Sequence, residues 1–262
     1  MSEPGGIAVV RAGHLRLSAE GPRATITLDR PAKRNMLEAA DLAAFESLLD
    51  RVSATPALRV LVITGAGERA FCSGFAHGDV ATTDWRANPI ERLVSRLENL
   101  ELPSVCALNG GVWGAAADLA LACDFRIGVA GMVMAMPAAR LGVMYNIGGM
   151  RRLVARLGPG PARRILIAAE TLDAAELLRI GFLDYLVAPA ELAARTDALA
   201  AEIAALAPLA VRGMKRCLTA ISRGTLDEVA AAEDILACFA SDDLEEGLCA
   251  FAEHRKPRFE GR

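Results

Sequence analysis

VCALNGGVWGAAADLALACD, Val105 to Asp124, is the stretch whose pattern decides the fold. Val105 to Leu108 is a short apolar strand, Asn109-Gly110-Gly111 breaks it, and Gly114-Ala115-Ala116-Ala117 opens a helix that continues through Leu121. The first N–H groups of a helix have no partner within it, and the helix dipole favours negative charge there. Small residues let a ligand approach that backbone, so an oxyanion formed from a thioester carbonyl would be stabilised; close helix packing is the other reading of the same run. A second unit has the same build. RVLVITG, Arg59 to Gly65, is a buried strand, and AFCSGFA, Ala70 to Ala76, follows a polar turn. Two strand-plus-turn units can each offer one N–H to the same oxygen.

The flanking pattern is regular. Arg23 to Arg30 alternates apolar Ala24, Ile26 and Leu28 with polar neighbours, as a half-buried strand does, and Leu37 to Val52 repeats apolar residues at helical spacing. Thr171 or Asp173 is placed to cap a helix through Arg179 that Gly181 ends. From Glu191 onward the chain reads as alanine-rich helices broken by Pro208 and Gly224, whose apolar excess suits either core packing or a subunit interface. The N-terminal stretch, to about residue 12, reads as loosely ordered.

A chain of 262 residues, 53% hydrophobic, can bury one large core or a core with a helical appendage, and no linker divides it. Its 29 basic and 32 acidic residues are scattered without aromatic interleaving, and no apolar run is long enough to span a bilayer, so neither nucleic acid nor membrane is an expected partner. The six cysteines, Cys72, Cys106, Cys123, Cys217, Cys238 and Cys249, include no C-x-x-C pair, and several lie in apolar stretches. That favours reduced core thiols over a disulfide framework or zinc site, and histidines only at 14, 77 and 254 argue against any metal. No hydrophobic signal core opens the chain, so the expected location is cytoplasmic.

Six motifs then occur in a recognisable order: ITLDRPAKRN (Ile26 to Asn35), AFCSGF (Ala70 to Phe75), NGGVWGAAADLALACD (Asn109 to Asp124), PAARLGV (Pro137 to Val143), LDAAELLRIGFLDYLV (Leu172 to Val187) and EGLCAFAEHRKPRF (Glu246 to Phe259). Together they resemble the crotonase superfamily, the enoyl-CoA hydratase/isomerase family, from Thr25 to Phe259. The resemblance implies an α/β crotonase (ClpP-like) spiral of ββα units over residues 1–190, with a C-terminal helical trimerisation region over residues 191–262. It implies an acyl-CoA substrate, no cofactor beyond the CoA moiety, and a homotrimer or homohexamer. The implied oxyanion hole is the pair of backbone N–H groups of Phe75 and Ala115. CoA would lie along Lys33, Arg34, Ala70, Ser73 and Gly74, with His254 and Lys256 reaching a neighbouring subunit's CoA. Trp113, Ala138 and Arg140 would line the acyl pocket, Trp113 as a packing wall and Arg140 as either a clamp or an ion-pair partner.

Departures from the family pattern bear on the reaction. Hydratases of this family use two glutamates at the positions matching Asp118 and Ala138, so here one carboxylate is shortened and the other absent. GGVWG (Gly110 to Gly114), LGVMYN (Leu141 to Asn146) and EHRKPRF look most like the methylmalonyl-CoA decarboxylase branch, where the tyrosine matching Tyr145 lies in the active site. That branch has histidine then aspartate where this chain has Phe75 and Ala76, with His77 following. The resemblance therefore names Tyr145, Asp118 and His77 as catalytic candidates. Each has a plain reading beside it: a loop cap for Tyr145, a local hydrogen bond or arginine pair for Asp118, and a loop histidine for His77. Decarboxylation of a malonyl-type CoA ester is the leading expectation, because a carboxylate desolvated in an apolar pocket is destabilised while its enolate product is held by two N–H donors. Enoyl-CoA hydration or isomerisation with a modified acid–base site is the second expectation, and a non-catalytic CoA-ester-binding protein the third.

Overall fold

Short strands alternate with helices, and the chain passes repeatedly between two sheets. The computed structural model describes residues 9–80 and 83–262, apart from the side chains of His77 and Val80. Its strands are β1 (Val10–Ala12), β2 (Leu15–Glu20), β3 (Arg23–Leu28), β4 (Val60–Gly65), β5 (Ala70–Cys72), β6 (Ser104–Leu108), β7 (Gly111–Trp113), β8 (Phe125–Val129), β9 (Val133–Ala135), β10 (Leu172–Asp173) and β11 (Tyr185–Val187). Its helices are α1 (Ala39–Ser53), α2 (His77–Val80), α3 (Pro89–Glu98), α4 (Ala115–Ala122), α5 (Ile147–Leu157), α6 (Pro159–Leu166), α7 (Ala174–Arg179), α8 (Leu192–Ala204), α9 (Pro208–Arg223), α10 (Glu228–Phe239) and α11 (Asp242–Ala252).

The larger sheet has the order β1-β2-β3-β4-β6-β8-β11 and the smaller one β10-β9-β7-β5. Strands β4, β6 and β8 enter the first while β5, β7 and β9 enter the second, so successive ββα turns wind a spiral, as expected. From β3 through β4, β6 and β8 the larger sheet is parallel. Such strands are covered on both faces and read as continuous apolar runs, which is why Val60 to Ile63 and Ser104 to Leu108 are buried throughout. Phe45, Phe71 and Phe182 lie wholly inside this core.

Two asparagines hold the irregular turn that carries the chain from the large sheet to the small one. Asn35 is buried in the left-handed region (φ 56), which asparagine tolerates better than most residues. Its amide donates to the carbonyls of Ala66 and Ala70, both at 2.9 Å, and its oxygen accepts from the Arg30 N–H at 3.1 Å. From the other side, Asn109 accepts from the Gly65 N–H at 3.1 Å and donates to the Gly67 carbonyl at 2.6 Å. The start of β5 is thereby set against β4 and β6.

Several sequence expectations need correction. Val10–Ala12 is ordered as β1, antiparallel to β2, because Val10 and Ala12 face Leu17 and Leu15 across the ladder; residues 1–8 lie outside the described residues. A further short strand, β7, occupies Gly111–Trp113 between the break and the helix. Asp173, not Thr171, caps α7, its side chain accepting from the Glu176 N–H at 2.9 Å. The breaks expected at Pro208 and Gly224 do separate successive helices: Pro208 opens α9, since the first helical position needs no N–H donor, and Gly224 caps its end. Among the described residues, no helix is long and apolar enough to cross a membrane.

Asn35→Ala would orphan buried backbone groups and place alanine at positive φ; an expected loss of about 2–4 kcal/mol is checked by urea unfolding, and a loss below about 1 kcal/mol would show that the turn holds without it.

Candidate active site

Adjacent parallel strands release their chains side by side, and β5 and β7 are such neighbours, with Ala70 opposite Gly111 and Cys72 opposite Val112. The turn after β5 therefore meets the turn after β7. At Gly74 (φ 92) a Cβ would stand 2.7 Å from the Trp113 carbonyl oxygen and 3.7 Å from the Ala115 nitrogen, so the contact requires glycine. Gly114, at φ 55 and ψ −125, turns the chain into α4 and donates its own N–H to the Ala135 carbonyl at 2.9 Å.

This geometry orients both N–H groups singled out by sequence. The Leu37 N–H donates to the Gly74 carbonyl at 2.9 Å and the Ala76 N–H to the Leu37 carbonyl at 2.8 Å. In an extended segment, alternate residues point to opposite sides, so the N–H of Phe75 faces away from Leu37. Ala115 is the first residue of α4, and its N–H precedes the helical ladder. The Phe75 ring packs edge-on against Trp85, with centroids 6.3 Å apart.

One helical turn into α4, Asp118 is wholly buried. The Tyr145 hydroxyl donates to its Oδ2 at 3.3 Å, and Arg152 Nη1 lies 3.4 Å from its Oδ1. Both plain readings of Asp118 are thus realised in one constellation, and Tyr145 reaches it from the loop before α5. Arg152, itself buried, also contacts Glu91 at 3.1 Å and Glu98 at 3.4 Å, both from α3. Arg223 of α9 closes the set through Glu98. Burial pushes the Asp118 carboxyl up to about 6; Arg152 opposes the rise, while Glu91 adds to it. Burial, with Asp118 beside it, also raises Tyr145 well above the usual phenol range, which keeps its hydroxyl neutral. Such a carboxyl can hold or release a proton near neutral pH.

The turn preceding α1 and the one following β5 are tied together: the Ser73 N–H donates to the Arg34 carbonyl at 2.9 Å and its hydroxyl to the Lys33 carbonyl at 3.3 Å. Lys33 and Arg34 are exposed there, while Ala70 and Gly74 are buried beneath them. His254 and Lys256 are exposed on the turn after α11, with no hydrogen bond to those loops among the described residues. Trp113 is half-buried with its ring folded over Gly111, and Ala138 opens a short 3₁₀ turn, Ala138–Leu141, that contains no acidic residue. Arg140 donates to the Ala169 carbonyl at 2.9 Å, tying its turn to the segment between α6 and β10. The His77 side chain lies outside the described residues.

Arg152, Glu91 and the pair Gly148-Gly149 were not singled out by sequence. A signal existed for Arg152: Gly149, Arg152, Leu153 and Leu157 form the buried stripe of α5, where a cation demands partners.

The family model described as Enoyl-CoA hydratase/isomerase matches residues 20–262. The chain is 33% identical over 253 residues to crotonyl-CoA hydratase of Syntrophomonas wolfei subsp. wolfei, covering 93% of this chain and 96% of that protein. It is 35% identical over 259 residues to carnitinyl-CoA dehydratase of Proteus mirabilis, covering 95% and 98%. The enoyl-CoA hydratase structure from Bacillus anthracis superposes with a TM-score of 0.85 at 28% identity, covering 95% of this chain and all of that one. The fold and paired turns define a crotonase-superfamily enzyme that acts on acyl-CoA. Within that class, the chain belongs to the enoyl-CoA hydratase/isomerase family.

The raised carboxyl makes a stability prediction. Asp118 binds its proton more tightly folded than unfolded, so its contribution is complete below about pH 4 and lost as pH rises through about 6. Unfolding free energy, measured relative to Asp118→Asn, should fall by about 2–3 kcal/mol between about pH 4 and pH 7. A flat difference would contradict the buried proton.

Proposed function

We propose that this protein adds water to, or removes it from, an acyl-CoA thioester, with the thioester oxygen held by the N–H groups of Phe75 and Ala115 and the proton carried by Asp118. The observation that carries this reading is the buried Asp118 carboxyl, poised near pH 6 and hydrogen-bonded to the neutral Tyr145 hydroxyl. In hydration, Asp118 takes a proton as water attacks the β-carbon and the thioester becomes an enolate; returning that proton to the α-carbon regenerates the carboxylate. One carboxyl suffices for that cycle, since the same proton is taken and given back. Tyr145 orients Asp118 through their hydrogen bond. The names of the crotonyl-CoA hydratase and carnitinyl-CoA dehydratase relatives support the same class of chemistry.

Lys33, Arg34, Ala70, Ser73 and Gly74 form the proposed CoA border, because the Ser73 bonds bring their two turns together. Trp113 and Ala138 bound the acyl group in this reading, whereas Arg140 ties its turn to the segment before β10. The proposal asks for no group beyond the substrate's own CoA. A second copy of the chain is the proposed partner for the C-terminal helices: Leu218 and Ile221 of α9, Leu236 and Phe239 of α10, and Leu248 and Phe251 of α11 all stand exposed, an apolar load suited to a homotrimer or homohexamer. His254 and Lys256 follow α11 and would meet a neighbour's CoA there.

Decarboxylation of a malonyl-type ester is the second reading, favoured by the lack of an acidic residue in the turn Ala138–Leu141. The charge near Tyr145 weighs against it as the first, because Asp118 and Glu91 would oppose an incoming carboxylate.

Mass spectrometry of the protein with crotonyl-CoA and, separately, methylmalonyl-CoA tests the choice: water gain by the first supports hydration, while carbon dioxide loss from the second alone overturns it. Ala115→Pro removes one oxyanion donor at a helix position that accepts proline, so kcat should fall about 10²–10³-fold with helix content unchanged. An unaffected kcat would remove Ala115 from the site.

A further inference from the structure

Arg152 stands among three carboxylates, Glu91, Glu98 and Asp118, and gives its hydrogen bonds to only one of them. Its Nη2 donates to both oxygens of Glu91, at 3.1 and 3.2 Å. Toward Asp118 it offers only the 3.4 Å approach of Nη1, and Asp118 Oδ1 is buried without a hydrogen-bond partner among the described residues. The guanidinium therefore leans to α3, leaving a lone pair of the buried carboxyl open.

The seat of Glu91 is specific. The Ser95 hydroxyl donates to its Oε1 at 2.6 Å, one turn along the same helix. Opposite, a Cβ at Gly148 would overlap the Glu91 carboxylate, and a Cβ at Gly149 would overlap the Tyr145 ring and stand 2.6 Å from Asp118 Oδ2. Two consecutive glycines in the first turn of α5 thus make room for Glu91 on one side and for the Asp118–Tyr145 pair on the other. Glu91 keeps 26% of its side chain exposed and Asp118 none, so the solvated acid holds the arginine while the dry one is left able to exchange a proton.

We propose that Glu91 is a positioning residue that draws Arg152 away from Asp118, leaving Asp118 Oδ1 free to take and return a proton at the acyl site. The catalytic part of this inference rests on the hydration reading above; the geometric part does not. Without the pull of Glu91, Arg152 closes on Asp118 and fixes it as a carboxylate that returns its proton poorly. The charged and titratable groups facing Asp118 are Arg152 from α5, Glu91 and Glu98 from α3, and Tyr145 from the loop between β9 and α5. Arg223 of α9 engages Glu98, and Glu98 remains with Arg152 in either arrangement.

Two variants separate this from a simple structural role. Glu91→Gln removes the competing charge. Gly148→Ala leaves Glu91 in the chain but evicts its carboxylate from the seat, while improving helix propensity. The carboxyl stretch of Asp118, identified by its disappearance in Asp118→Asn, is followed by difference infrared titration of the full-length protein, and the pH profile of kcat is recorded with crotonyl-CoA. In both variants the Asp118 midpoint should drop by about one pH unit or more, with the pH dependence of kcat moving by the same amount and KM little changed. A midpoint that stays in place in either folded variant overturns the inference. Absence of turnover by the wild type would defeat the hydration reading alone, since the infrared midpoint still reads the pull of Glu91 on Arg152.

Discussion

Everything at this site depends on how closely two backbone turns approach. β5 and β7 lie side by side in parallel, and only glycine at position 74 lets the chain leaving one come against the Trp113 carbonyl of the other. Parallel pairing aligns the ends, the small sheet sets their spacing, and the larger sheet holds that small sheet through the Asn35 and Asn109 clamps. The fold is in this sense a device for presenting two N–H groups from different turns of one spiral. In the proposed reading, backbone donors held this way need no reorganisation as charge develops on the thioester oxygen, which is where such sites gain most of their effect.

Side-chain chemistry is layered on that frame by α3, α4 and α5. Helix α4 begins at the proposed oxyanion turn and carries Asp118 one turn inward, so the distance from that N–H to the proposed proton carrier is set by helical pitch. Burial raises the carboxyl, and Arg152 keeps the rise in check. An isolated buried carboxylate would simply stay protonated, and one tightly paired with arginine would stay charged; neither could take a proton and return it. Sharing one guanidinium among Asp118, Glu91 and Glu98 gives the intermediate state.

Much of this was legible in the sequence. The apolar runs at Val60 to Ile63 and Val105 to Leu108 carried the parallel sheet, and the glycine breaks after them carried the paired turns, because periodicity and turn chemistry are local properties. Asp118 and Tyr145 were legible as residues but not as a hydrogen-bonded pair. Glu91 and Arg152 were not legible as a site: Arg152 lies on the apolar stripe of its helix and so calls for a partner, but nothing local names an acid near the start of another helix as that partner until packing puts them in contact. Gly148 and Gly149 gave no warning either, since the value of a missing side chain depends on what occupies its space. Val10–Ala12 was underestimated for a related reason, as its order comes from β2 across the ladder and not from its own composition.

The most direct test of the central claim, enolate formation by the paired N–H groups with proton transfer at Asp118, is hydrogen exchange into a saturated substrate analogue. Butyryl-CoA cannot gain or lose water, so deuterium entering its α-carbon in heavy water, followed by NMR, isolates that step from all others. Wild-type protein should catalyse the exchange, and Asp118→Asn should lose it while still binding the ester. Exchange no faster than in buffer, or exchange undiminished in Asp118→Asn, would contradict the assignment of this carboxyl as the proton carrier.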